Sequence, residues 1–172
     1  TVTGTVDMNT TGTYLLTYSV ADAAGNTATA TRTVTVVGNR SVDLNATVSM
    51  DMLWVPAGTF TMGSPTTEAG RQSDREDEHN VSLTQGFYLG KYEVTQAQYE
   101  AVMTGNTNSL SPTPSEWPGN LNRPVEKVSW ADAQIFLTRL NAQQSANIPA
   151  GWAYVLPTES QWEYACRAGT ST

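Results

Sequence analysis

From residue 95 onward the chain repeats one short pattern three times: a hydroxyl residue followed three places later by Gln or Asp. Thr95 pairs with Gln98, Ser129 with Asp132 and Thr158 with Gln161. In this spacing the first side chain accepts from the amide three residues on, and the second reaches back to the first amide, so the pattern predicts a helix start. In "VTQAQYEAVMTG", Val94 and Tyr99 stand at the staple positions and Gly105 supplies a stop. In "VSWADAQIFLTRLN", Ala133, Phe136, Leu137 and Leu140 recur at helical spacing, giving an amphipathic helix with one core face. In "LPTESQWEYACRAG", Glu159 opens the helix where its dipole favours an anion, and Gly169 can end it. These helices are not separated by regular strands. "NTNSLSPTPSEWPGNLNRP" (106–124) carries four prolines and no period, and a shorter connection leads to Tyr154, Val155 and Leu156. The βαβ alternation of a parallel sheet is therefore excluded, and a loop-rich α+β domain is expected.

The texture before this region is different. Residues 1–37 are Thr-rich, with Tyr14, Leu16, Tyr18 and Val20 at period two, a turn at "DAAGN", and then "TATATRTVTVV". That is a β-hairpin with one apolar face, and two strands alone are marginal, so a larger sandwich is implied. The stretch "GTYLLTYSVADAAGNTATATRTVTVV" resembles the closing strands of immunoglobulin-like repeats in bacterial surface and secreted proteins, which makes residues 1–37 the end of an Ig-like β-sandwich. Residues 38–51 read as a linker, although "VDLNATV" could be a short strand. "MLWVPAGTFTMGS" suggests two short strands or one with a bend, 64–80 a polar loop, and 81–94 a return to β-type residues.

Sixteen acidic residues against nine basic ones, a net charge of −7, leave no basic face able to neutralise a nucleic-acid backbone. No apolar run approaches the roughly 18 to 20 residues that span a bilayer. Nucleic acid and a membrane span are accordingly not expected. The first residue is Thr1 within a strand-like run, so the chain reads as cut from a longer one, and the missing signal peptide says nothing about export.

The order "WVPAGTFTMGS", acidic loop, "GFYLGKYEVTQAQYEAVM", "RPVEKVSWADAQIFLTRLN", "LPTESQWEYACRAG" resembles the formylglycine-generating, sulfatase-modifying-factor family over residues 52–172. The resemblance implies a C-type-lectin-like fold with little regular structure. It also implies, for the best-known members, oxidation of a sulfatase cysteine to formylglycine by molecular oxygen and copper, the copper held by two active-site cysteines. Structural calcium belongs to the same implication. Another branch uses iron for sulfur transfer; it predicts histidine ligands in a different module, and one His beside an immunoglobulin-like neighbour counts against it here. In the family the cysteine pair, the "GNVWEW" signature and the calcium ligands lie beyond the equivalent of "EYACRAG". Residues 52–172 therefore correspond to the N-terminal half of an incomplete domain. No catalytic, cofactor-binding or metal residue can be carried over, and these 172 residues are expected to be inactive.

Individual candidates agree. Cys166, the sole cysteine, lies near a helix C-terminus, where the dipole disfavours a thiolate; the resemblance implies a core or disulfide cysteine. His79 stands alone in a solvated loop, short of the three or four ligands a nitrogen and sulfur site needs. Glu68, Asp74, Glu76, Asp77 and Glu78 lack the alternating spacing of a calcium loop. Glu159 and Glu163 share a face that Arg167 continues, so Glu163 and Arg167 read as a surface ion pair. Trp130, Trp152 and Trp162 read as core and staple packing rather than a ligand groove. Asn9, Asn39, Asn45 and Asn80 sit in N-x-S/T sequons of little weight in a bacterial protein. The expected whole is a secreted or cell-surface protein. Its two readings are an oxidase acting on a protein such as a sulfatase, or a non-catalytic module binding surface ligands.

Overall fold

The computed structural model describes residues 1–8, 10–72 and 74–170. The chain divides into two compact units, Thr1–Asn39 and Arg40–Thr172.

In the first unit, β1 (Val2–Thr3), β2 (Gly12–Ala21) and β3 (Thr27–Val36) form an antiparallel sheet in the order β1-β2-β3. The expected hairpin is present, and β1 adds a third strand through Val2↔Tyr18. The β2–β3 register, with Tyr14 opposite Val34 and Leu16 opposite Arg32, puts Tyr14, Leu16 and Tyr18 on one face with Val34 and Val36. The other face carries Thr27, Thr29, Thr31, Thr33 and Thr35. Asp22 builds the turn: its carboxylate accepts the amides of Ala24 and Asn26, each at 2.9 Å, and the Asn26 side-chain amide at 2.8 Å. These bonds, chiefly those from Asn26, hold its carboxyl below the usual range.

The second unit contains β4 (Arg40–Asp43), β5 (Ser49–Val55), β6 (Gly58–Met62), β7 (His79–Leu83) and β8 (Phe87–Gly90). Its helices are α1 (Gln96–Met103), α2 (Trp130–Gln143) and α3 (Glu159–Arg167). Two small antiparallel sheets result, β4-β5-β8 and β6-β7. All three capping boxes are made, and each starts its helix at the expected residue. The core lies where α1 and α2 meet the β4–β5 turn: Leu44, Met50, Tyr99, Val102, Met103, Phe136 and Leu140 are buried, with the Tyr99 and Phe136 rings stacked at 5.5 Å.

The reading of residues 38–51 as a linker is corrected from residue 40 onward. Arg40–Asp43 pairs with Ser49–Met52, and Leu44 is part of the core. The Asn45 carboxamide accepts the amides of Thr47 and Val48, closing a tight turn that in sequence looks like loop composition. Gln144, which caps the end of α2, and Gln143 of α2 then donate to the carbonyls of Asp43 and Leu44 respectively, fastening the hairpin to the helix.

The long 106–124 segment is irregular and packed. Asn106 holds its start by donating to the carbonyls of Met103 and Leu110, and its end returns to α1, where the Gln96 and Ala97 amides donate to the carbonyls of Arg123 and Leu121. The unpaired amides at the start of α1 are thus satisfied by the loop.

Candidate functional site

Within the second unit a groove of about 1090 Å³ runs between the β4-β5-β8 sheet, the flank of α2, and a wall formed by residues 149–157 and α3. Each wall has a local cause. Asn141 of α2 accepts the Tyr154 amide and donates to the Tyr154 carbonyl, both at 2.8 Å, which holds the extended 152–157 segment across the helix. Burial pushes the Tyr154 phenol above its ordinary value, against an opposing effect of Arg40.

The α3 wall is fastened from behind. Ser160, Tyr164, Glu163 and Arg167 fall on the side of the helix that meets β6 and the turn after it. The Tyr164 ring lies 5.2 Å from that of Phe60, and Ser160 Oγ donates to the sulfur of Met62. Glu163 Oε1 accepts the Gly63 amide at 2.9 Å and the Arg167 guanidinium at 2.6 Å, while Arg167 donates to the Gly63 carbonyl at 2.5 Å. With side chains 21% and 15% exposed, this pair is not the surface ion pair read from the spacing; it clamps a backbone segment a hundred residues earlier. Gly63 has φ 102°, and a Cβ there would collide with the Asp77 carbonyl, so glycine is required at the clamp. The opposite stripe of α3, with Trp162, Ala165 and Cys166, is left facing the groove.

The sheet side carries an aromatic group absent from the sequence reading. Trp54 and Tyr88 are paired across β5 and β8 with rings 5.0 Å apart, edge to face, and Trp152 lies 5.8 Å from Tyr88 and 6.2 Å from Trp54. The Arg40 guanidinium stands 5.6 Å from the Tyr88 ring centre. Gly86 lets the Trp54 ring lie against the backbone, where any Cβ would meet it. Both segments read as β-type in the sequence, but only the pairing of β5 with β8 brings these rings together.

The tryptophans depart from expectation. Trp162 is 59% exposed, Trp152 44% and Trp130 72%, so none is core packing. A tryptophan beside a helix start buries only if something covers that turn, and among the described residues of this unit nothing covers Trp130 or Trp162. Cys166 is likewise exposed rather than buried in the core. His79 begins β7 rather than lying in a loop, exposed, with Nδ1 2.9 Å from the Asp77 carbonyl. Asp77 pairs with Arg71, Glu76 accepts the Gln72 amide, and Asp74 pairs with Arg75; Glu68 closes a turn through its amide. Among the described residues no three His, Cys, Asp or Glu side chains gather as a metal site. One thiol, with no histidine beside it in the groove, does not fit a two-cysteine copper centre. Asn9 lies outside the described residues, Asn45 closes its turn, and Asn80 is exposed on β7. Among the described residues no helix is long and apolar enough to cross a membrane.

Comparison with known proteins places both units. Residues 1–36 match the bacterial surface protein Ig-like domain. Chaperone protein LppX of Paenibacillus barcinonensis is 32% identical over 73% of the chain and 48% of its own length. The formylglycine-generating enzyme of Mus musculus is 28% identical over 69% of the chain and 40% of its own length. Among solved structures, PvdO from Pseudomonas aeruginosa is similar with a TM-score of 0.62 at 25% identity, covering 77% of this chain and 52% of that one. Treponema denticola variable protein 1 shares the fold, with a TM-score of 0.59 at 24% identity over 77% of this chain and 58% of that one. The chain spans about half the length of the relatives it matches. Residues 40–172, which hold both small sheets, all three helices and the groove between them, match the sulfatase-modifying factor enzyme 1-like domain, and it is to this family that the chain belongs.

Proposed function

We propose that the chain is a non-catalytic polypeptide-binding module of a secreted or cell-surface bacterial protein, with the groove as its contact face. One observation carries this reading: an open groove bordered by Trp152, Leu156 and Trp162, whose exposed aromatic and aliphatic side chains suit apolar segments of a polypeptide. The similarity to a protein named as a chaperone supports it, and the bacterial surface Ig-like match supports the location. The test uses a permanently unfolded protein, reduced and carboxymethylated lactalbumin, titrated into the 172-residue chain and followed by fluorescence anisotropy. Binding is expected, and Trp162→Ala should weaken it about tenfold or more, the loss typical of an aromatic anchor. Absence of binding, or equal binding by the variant, would sink the reading.

A second reading rests on the 28% identity to the mouse formylglycine-generating enzyme. In it the whole protein oxidises a cysteine of a partner such as a sulfatase to formylglycine with copper and oxygen, with calcium as a structural ion. Cys166 alone does not make the required pair, so no step is assigned to residues of this chain. Whole protein incubated in air with copper and a cysteine-containing sulfatase peptide would yield an aldehyde under this reading, and an unchanged thiol against it.

A further inference from the structure

We infer that residues 117–130 form a second binding face, separate from the groove, for a neutral β-linked polysaccharide, with Trp117 and Trp130 as the residues on which its sugar rings stack. Among the described residues of the second unit, four large hydrophobic side chains are exposed without lining the groove: Leu53, at 36%, and Trp117, Leu121 and Trp130, at 67%, 51% and 72%. Three of the four therefore fall within one short stretch, and two of them are tryptophans. A single exposed apolar residue needs no explanation, whereas two indoles left in water near an exposed leucine mark a contact surface.

The backbone behind these side chains is tied down. The Trp117 amide donates to Glu126 Oε1 at 3.2 Å, and the Trp117 carbonyl accepts from the side chain of Gln96, a buried residue of α1, at 3.3 Å. Pro118 fixes the next φ and restricts Trp117 to extended backbone. Lys127 pairs with Glu116 at 2.6 Å and Ser115 accepts the Glu126 amide at 3.2 Å, so the 115–117 and 126–127 segments are joined side by side. Lys127 has φ 58°, in the left-handed region that a lysine seldom adopts, and such strain persists where the surroundings over-determine it. Trp130 is the first residue of α2, and the Cβ bonds of a helix tilt toward its N-terminus, so this side chain leans back toward the same joint. Four residues of chain keep it within about 14 Å of Glu126. The backbone that carries both indoles is thus fixed before any ligand arrives, which lowers the ordering cost of binding.

Chemistry then selects the ligand. The net charge of −7 opposes a polyanion. Glu116, Glu126 and Asp132 each hold a partner already, in Lys127, the Trp117 amide and Ser129, so none of these carboxylates stands ready for a cation. What remains is two indoles bordered by the exposed residues Asn120, Asn122 and Arg123. A β-linked pyranose matches both parts: the C–H bonds of its face lie against an indole, and the hydroxyls of its rim exchange hydrogen bonds with carboxamides and a guanidinium. A chain of such rings can lie along an open face, whereas a small apolar ligand needs a concave one.

The experiment titrates cellohexaose and chitohexaose, β-linked hexamers of glucose and N-acetylglucosamine, into the 172-residue chain and follows binding by calorimetry and tryptophan fluorescence. Binding of one or both is expected, insensitive to added salt because the ligand is uncharged. Trp117→Ala and Trp130→Ala should each weaken it about tenfold or more while keeping the circular dichroism of the parent, since both side chains are exposed. Trp117→Phe, which keeps an aromatic face, should retain most of the affinity, and Trp162→Ala, in the groove, should bind the sugar as the parent does. Absence of binding by both hexasaccharides overturns the inference, as does binding that survives both alanine variants or falls in Trp162→Ala. Loss of carboxymethylated lactalbumin binding in Trp117→Ala also overturns it, because the face would then belong to the polypeptide contact. Lactalbumin binding that depends on Trp162 alone leaves the two readings independent, as expected.

Discussion

Glu163 and Arg167 stand one helical turn apart, and from spacing alone they look like a solvent-side pair contributing a few tenths of a kcal/mol. Their weight comes instead from Gly63, whose amide and carbonyl they close. Removing one partner leaves a half-buried charge and an unmade backbone bond, so Glu163→Ala should cost about 2–3 kcal/mol in urea unfolding, several times a surface pair. Gly63→Ala should be comparably damaging through its φ and the Asp77 carbonyl. This is a limit of reading at the residue scale. The helix face was legible from spacing, whereas its burial depends on a glycine whose partner no local pattern identifies. Asp132 gives a second residue-level expectation. The Ser129 hydroxyl and then its amide hold the Asp132 carboxyl below the usual carboxylate range. A depressed folded value means the contribution is complete above the unfolded value of about 3.9 and is lost as pH falls through the lower folded value. Helix signal at the start of α2 should therefore fade only below about pH 4, and Asp132→Asn should remove that dependence, as followed by circular dichroism.

Elements divide by how local their causes are. The three helix starts were readable because a capping box is completed within four residues, and each is found where the sequence puts it. Thr95→Ala should lower stability by about 1 kcal/mol. The apolar face of α2 was readable too: Phe136 and Leu140 are buried, and Leu140→Ala should cost about 2–5 kcal/mol, measured by the same unfolding curve. Residues 40–51 read as a linker, with a short strand left open only at 42–48, because Ser41, Asp43, Asn45 and Thr47 interrupt the apolar positions, and the hairpin is fastened to α2 by glutamines a hundred residues away. The groove was missed for a related reason. Tryptophans near helix starts suggest packing, and only the arrangement of β8, 152–157 and α3 shows that these lie on an uncovered surface.

Across the whole molecule the two units differ in what holds them. The second has a buried cluster joining α1, α2 and the β4–β5 turn; the first is a three-stranded sheet in which no described residue is buried. Sheet hydrogen bonds without a packed face are marginal, so amides of Gly12–Val36 should exchange much faster than those of α1 and α2 in native hydrogen exchange. Equal protection in both would contradict this. Among the described residues the order β1-β2-β3 also leaves β3, ten residues long, with one edge unpaired, and Arg32, opposite Leu16, is the only charged residue in that strand. An unpaired strand of that length, rich in threonine and valine, is a template for like strands from neighbouring molecules. Arg32 therefore acts as a gatekeeper: one cation in the middle of the edge sets a charge against self-pairing and bears on whether many copies crowded together remain separate or join into a continuous sheet.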